Sequence, residues 1–100
     1  MPDFAITEAS IVSRAPDVIA TELDGEAVLM SIARGQCYGF DAIGTRIWSM
    51  IEHPTPLGEV VAALVSEYDV APDACRQDVT RLLSELARER LIFVDHADTR

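Results

Sequence analysis

One hundred residues with 49% hydrophobic content supply one domain with one modest core and leave no room for a second. Seventeen acidic residues against eight basic ones, all arginine, give a net charge of −9, and a chain this acidic is repelled by polyanions, which argues against nucleic acids and anionic membrane surfaces as ligands. Met1 to Ser10 lacks the basic start and apolar run of a secretory signal, and no stretch reaches the roughly 18 to 20 apolar residues of a membrane span, so the expectation is a soluble cytoplasmic protein in which Cys37 and Cys75 are reduced thiols.

Met1 to Arg14 carries Phe4, Ile6, Ile11 and Val12 without a sustained period and reads as an arm or a short first strand. Val18 to Leu23 and Glu26 to Ile32 are two apolar runs separated by Asp24-Gly25. That dipeptide predicts a two-residue type I′ hairpin, because both central residues of such a turn need positive φ. The register then sets Leu23 opposite Glu26, Thr21 opposite Val28 and Ile19 opposite Met30. One face carries Ile19, Thr21, Leu23, Val28, Met30 and Ile32; the other carries Val18, Ala20, Glu22, Ala27, Leu29 and Ser31. The first set is larger and more apolar, so it is expected to face the core.

Ala33-Arg34-Gly35 reads as a second turn, and Gln36 to Phe40 as a short third strand. A three-residue turn sets Tyr38 and Phe40 beside Met30 and Val28 on the core face, with Cys37 and Gly39 outward; a bulge at Gly35 would reverse this. From Asp41 the period becomes helical. Asp41 is a plausible N-cap, Ile43, Ile47, Trp48 and Ile51 share one face, and His53-Pro54-Thr55-Pro56 breaks the pattern. Thr55 is expected to cap a second helix with Pro56 at its first position, and Leu57, Val60, Val61, Leu64, Val65 and Tyr68 recur at helical spacing. A third helix is expected from about Pro72 and Asp73 to Glu89, burying Val79, Leu82, Leu83 and Leu86. Leu91 to Val94 reads as a last short strand and His96 to Arg100 as a frayed tail. The fold class is α+β, one sheet on one small helical layer, with residues 1–14 as arm or strand, 15–94 as the domain and 95–100 as a tail.

The pattern offers little to catalysis. His53 precedes a proline in a loop, His96 lies in the tail, and neither cysteine has a neighbouring histidine or lysine in sequence to lower its pKa. Gly35, Gly39 and Gly44 are too scattered for a phosphate-cradling loop, and no cofactor or metal is expected. What remains is backbone and apolar surface. A short edge strand at Gln36 to Phe40 presents unpaired amides and carbonyls to which an extended peptide can add as another strand. The third helix is the candidate wall, because Asp78 and Glu85 border its apolar stripe; the stripe reads equally well as all core with those acids solvated.

The runs Leu23 to Val28, Arg34 to Asp41 and Gly44-Thr45-Arg46-Ile47-Trp48, with Leu57 to Tyr68, Asp78-Val79 and Leu82 to Leu86, resemble in order and spacing the PqqD-like family of precursor-recognition proteins. The resemblance covers residues 15 to 94. It implies a winged helix-turn-helix of three antiparallel strands and three helices that binds the leader of a ribosomally synthesised, modified peptide as an added strand. By position, Gln36, Cys37, Tyr38, Gly39 and Phe40 would supply the strand, and Cys75, Asp78, Val79 and Leu82 the helix side of the groove. Within the family the chain is most similar to the stand-alone domains of lasso-peptide clusters, which work with a leader protease and a macrocycle-forming synthetase. A chaperone for another modified peptide, such as the pyrroloquinoline quinone precursor, and a winged-helix DNA-binding regulator are the alternatives. The sequence departs from the family at Asp41, where asparagine is usual, and at Arg90, where a glycine commonly ends the third helix.

Overall fold

A computed structural model describes residues 6, 7 and 9–96 of the chain. The elements are β1 (Ser10–Arg14), β2 (Val18–Leu23), β3 (Glu26–Ser31), β4 (Gln36–Gly39), α1 (Ala42–Met50), β5 (Thr55–Pro56), α2 (Leu57–Glu67), α3 (Pro72–Arg88) and β6 (Ile92–His96). They form two antiparallel three-stranded sheets, ordered β2-β3-β4 and β5-β1-β6, around three helices. This is the α+β winged helix-turn-helix arrangement expected from the sequence, with a second sheet that the sequence reading did not anticipate.

The first hairpin forms as its turn chemistry dictates. Asp24 and Gly25 adopt φ of 55° and 83°, and Leu23, Thr21 and Ile19 pair with Glu26, Val28 and Met30. Its buried face is the opposite of the one predicted. Ala27, Leu29 and Ser31 are buried, whereas Ile19, Leu23, Met30 and Ile32 are exposed. Helix α1 packs on the face with small side chains, where the Ala27 N–H donates to Thr45 Oγ1 at 2.8 Å. Close approach of a helix rewards the small Ala27 there, and the bulk of the core comes from the helices: Ile47, Trp48, Ile51, Leu57, Val60, Leu64, Val79, Leu83 and Leu86. Side-chain size alone was therefore the wrong guide.

The turn from β3 to β4 has four residues, since Ser31 pairs with Gln36 and Leu29 with Tyr38. A one-residue change in register moves every side chain to the other face. Tyr38 thus lies beside Leu29 rather than Met30, and because the Leu29 face is the buried one, Tyr38 and Phe40 still pack against the core while Cys37 is exposed.

Asp41 caps α1, its carboxylate accepting from the Gly44 N–H at 2.8 Å. A Cβ at Gly44 would meet Phe40 Cβ and Cγ at 3.1 Å, so the bare α-carbon lets the first helical turn sit against the end of β4. Thr55 does not cap α2, and Pro56 is its extended N-cap rather than its first residue. Thr55 and Pro56 pair instead with Val12 and Ile11, and the Thr55 hydroxyl lies 2.7 Å from the His53 carbonyl and 3.0 Å from that of Met50. Pairing with β1 holds these residues extended, a tertiary contact that local capping chemistry does not foresee.

Ser10–Arg14 forms the central strand of the second sheet, pairing along its whole length with β6 and carrying the fully buried Val12. Arg14 fixes it to α1: its Nε donates to the Trp48 carbonyl at 3.0 Å, and its guanidinium lies 4.6 Å from the centre of the Trp48 ring. The last strand runs further than predicted, to His96. Phe4 and the tail beyond His96 lie outside the described residues. Helix α3 ends in a Schellman motif, with the Leu91 N–H donating to the Leu86 carbonyl at 2.9 Å and the Arg90 N–H to that of Ala87 at 3.0 Å. Arg90 occupies the left-handed position of that motif at φ 64°, so the helix ends where a glycine would and under strain.

Candidate functional site, an open strand edge beside a helix

Among the described residues, strand β4 pairs on one side with β3 and forms one margin of its sheet. The Phe40 N–H donates to the Ala27 carbonyl at 2.9 Å. Antiparallel pairing alternates, so the main-chain groups of Tyr38 and Phe40 point toward β3 while those of Cys37 and Gly39 point to the open side. Two amides and two carbonyls are therefore offered to an extended chain, at the spacing of every second residue.

Facing that margin across a groove is α3. One part of the groove, about 750 Å³, runs from Gln36 to Phe40 against Leu82, Glu85, Leu86, Arg88 and Glu89. The other, about 540 Å³, lies between Gly39, Phe40, Ile43, Gly44 and Ile47 on one side and Asp78, Val79 and Leu82 on the other. Phe40 and Leu82 line both parts. Of the nine residues assigned to the site from sequence, eight meet here. Cys75 does not: it borders neither part of the groove and packs in the core, where burial, with Asp78 adding, raises its thiol pKa. Leu82, expected in the core, is half-buried because it stands on the rim of α3.

Sequence reasoning missed Ile43 and Glu89. Ile43 shares the helical period of Ile47 and Trp48, yet it is 40% exposed at the mouth of the groove; its spacing carries no sign of this. Glu89 reads in sequence only as a helix end. In the structure the Tyr38 hydroxyl, which has one proton to share, lies 2.9 Å from Glu89 Oε1 and 2.7 Å from Gln36 Oε1, and Arg34 reaches the same Glu89 oxygen at 3.3 Å. This cluster ties the β3–β4 turn to the end of α3 and fixes the width of the groove there. Partial desolvation, reinforced by the Glu89 carboxylate and opposed by Arg34, holds the Tyr38 phenol above its ordinary pKa.

The described residues contain no group of three or more His, Cys, Asp or Glu placed to hold a metal ion, and no helix long and apolar enough to cross a membrane. The site is thus main chain, apolar wall and acidic border, and it defines a winged helix-turn-helix domain of the peptide-recognition type. The sequence model of the family described as coenzyme PQQ synthesis protein D (PqqD) matches residues 26–92. The chain belongs to that family. Among solved structures it is similar to TbiB1 in complex with the TbiA(beta) leader peptide, at 30% identity and a TM-score of 0.76 over 88% of this chain and 99% of that one. A lasso peptide synthetase B1 complexed with the leader peptide shares the fold at 19% identity and a TM-score of 0.72, over 82% of this chain and 96% of that one. So does the PqqD truncation of Methylobacterium extorquens PqqCD, a stand-alone recognition element for ribosomally synthesised and post-translationally modified peptides, at 15% identity and a TM-score of 0.75 over 89% and 95%. No curated protein matches the chain.

Proposed function

We propose that this chain is a non-catalytic module that binds the leader segment of a ribosomally synthesised, post-translationally modified precursor peptide. The precursor belongs to the lasso-peptide class, and the module presents it to a leader protease and a macrocycle-forming synthetase in the cytoplasm. The leader adds as a strand to β4, bonding through Cys37 and Gly39, and its groove-facing side chains enter the space between Tyr38, Phe40 and Leu82. The observation that carries this reading is the open β4 margin beside the apolar flank of α3. The solved complex of the 30%-identical TbiB1 with a leader peptide supports it.

A DNA-binding role for α3 is disfavoured by Asp73, Asp78 and Glu85, which are exposed on that helix and would face phosphates. The test is calorimetric titration of a synthetic leader peptide, expected to bind with a Kd in the range of about nanomolar to micromolar. Asp78, exposed and paired with Arg81, is the gentlest probe of the helix side: Asp78→Lys should change leader affinity while the circular dichroism stays native. No leader binding by the native chain contradicts the proposal.

A further inference from the structure

Helix α3 borders a second cavity, of about 490 Å³, on its flank away from β4. Arg76, Gln77, Thr80 and Arg81 are its wall on α3. At 3.6 residues per turn these four fall within roughly 140° of the helix circumference, apart from Asp78, Leu82, Glu85 and Glu89 of the groove. Thr7 adds a hydroxyl to the lining, and Ile6 and Leu57 add apolar surface.

The first guide to its ligand is the sign of the lining. Among the described residues every polar side chain there can donate a hydrogen bond and none is acidic, in a chain with 17 acidic residues against 8 basic. Two guanidiniums share one space, and each can grip a carboxylate through charge-assisted, bidentate bonds. Helix α2 starts at Leu57 without a side-chain cap, so the positive end of its dipole reinforces them. Arg76 and Arg81 pair with Asp73 and Asp78 on their own helix, and those acids are 85% and 71% exposed; water screens such pairs, so they compete weakly with another acceptor. The second guide is size. One carboxylate fills a small part of the cavity, and the space beside Ile6 and Leu57 suits an apolar side chain. The net charge of −9 repels a long polyanion, whereas screening over about 8 Å leaves a short acidic segment to the local field of the two arginines.

We infer that this cavity is a second binding site, for a short peptide segment in which a glutamate or aspartate lies beside an apolar residue. The carboxylate bridges Arg76 and Arg81, Gln77 and Thr80 donate to main-chain carbonyls of the segment, and its apolar side chain rests on Ile6 and Leu57. The site is separate from the β4 margin and goes beyond the leader-binding reading, which stands or falls without it.

The test is a nuclear magnetic resonance titration of the isotope-labelled full chain with the blocked tripeptide acetyl-Leu-Glu-Leu-amide, its glutamine counterpart acetyl-Leu-Gln-Leu-amide, and glutarate. The glutamate probe should shift the backbone amides of Thr7, Leu57, Gln77 and Thr80 and the side-chain Nε–H signals of Arg76 and Arg81, saturably and with at least about tenfold higher affinity than the glutamine probe. Arg76→Gln/Arg81→Gln, made at two exposed positions, should keep native circular dichroism and lose at least about tenfold of that affinity. Shifts confined to β4, or equal binding of the glutamate probe by the double variant, overturn the inference. Glutarate binding as tightly as the glutamate probe overturns it in favour of a small free carboxylate, and a native dimer in sedimentation that the double variant abolishes overturns it in favour of a second copy. A leader titration that moves Cys37 and Gly39 is unaffected by any of these results.

Discussion

Proline scanning of β4 separates its two sides. Gly39 directs its N–H to the open margin, and a Cβ there meets nothing within 4 Å, so Gly39→Pro removes a donor that the native sheet does not use; proline is tolerated on an edge strand when its nitrogen faces solvent. Tyr38 pairs with Leu29 and directs its N–H inward, so Tyr38→Pro deletes a bond of the protein's own ladder. A net hydrogen bond is worth about 1 kcal/mol, and a partner carbonyl left unpaired in the groove adds up to about 2 more. Gly39→Pro should therefore weaken leader binding by about 1 to 3 kcal/mol, or about 5- to 150-fold, with little change in melting temperature. Tyr38→Pro should lower the melting temperature as well, and Gly39→Ala, which keeps the donor and has room for the methyl, should leave affinity nearly unchanged. Calorimetry for affinity and thermal denaturation for stability provide the readouts. Native-like leader affinity for a folded Gly39→Pro protein would refute main-chain recognition at this margin.

Leu82 and Leu83 are neighbours in sequence with different duties. Leu83→Ala, from a fully buried position, should cost about 2 to 5 kcal/mol of stability by urea denaturation. Leu82→Ala should cost less stability and about 1 to 2 kcal/mol of leader affinity. Arg90→Gly relieves the left-handed residue at φ 64°; about 1 to 2 kcal/mol of strain against about 0.4 to 1 of glycine entropy leaves a gain of about 0.5 to 1 kcal/mol, seen as a higher urea midpoint. Thiol titration at pH 8 should modify exposed Cys37 quickly and Cys75 slowly. The folded Cys75 thiol titrates above its unfolded value, so its contribution to stability is complete below the ordinary thiol range and is lost as pH rises through the folded pKa. Cys75→Ala should flatten that alkaline decline in a series of denaturation curves.

The parts of this fold written in local chemistry were legible. Asp24-Gly25 dictates its turn, Asp41 its cap, and the spacing of Val60, Leu64, Val79 and Leu83 its helices. What depended on tertiary partners was not. The buried hairpin face follows from where α1 lies, which favours the small Ala27 over the bulkier Ile19 and Met30. Thr55 is extended because β1 is there to pair with it. At the site, eight of nine residues came together because the strand and helix were placed correctly; Cys75 shares the helical face of Val79 but lies one turn before the stretch of α3 that borders the groove. The groove-facing orientation of Tyr38 survived two opposite errors, a turn one residue too short and an inverted hairpin face. Ile43 and Glu89 stayed hidden because nothing in a helical period records which ridge lies beside an open strand.

Amide hydrogen exchange, resolved by residue and measured with and without the leader peptide, tests strand addition most directly. The N–H groups of Cys37 and Gly39 should exchange quickly in the free protein and slowly in the complex, while those of Tyr38 and Phe40, already bonded to β3, should be slow in both. Saturating leader that leaves Cys37 and Gly39 exchanging freely, with new protection confined to other surfaces, would contradict it.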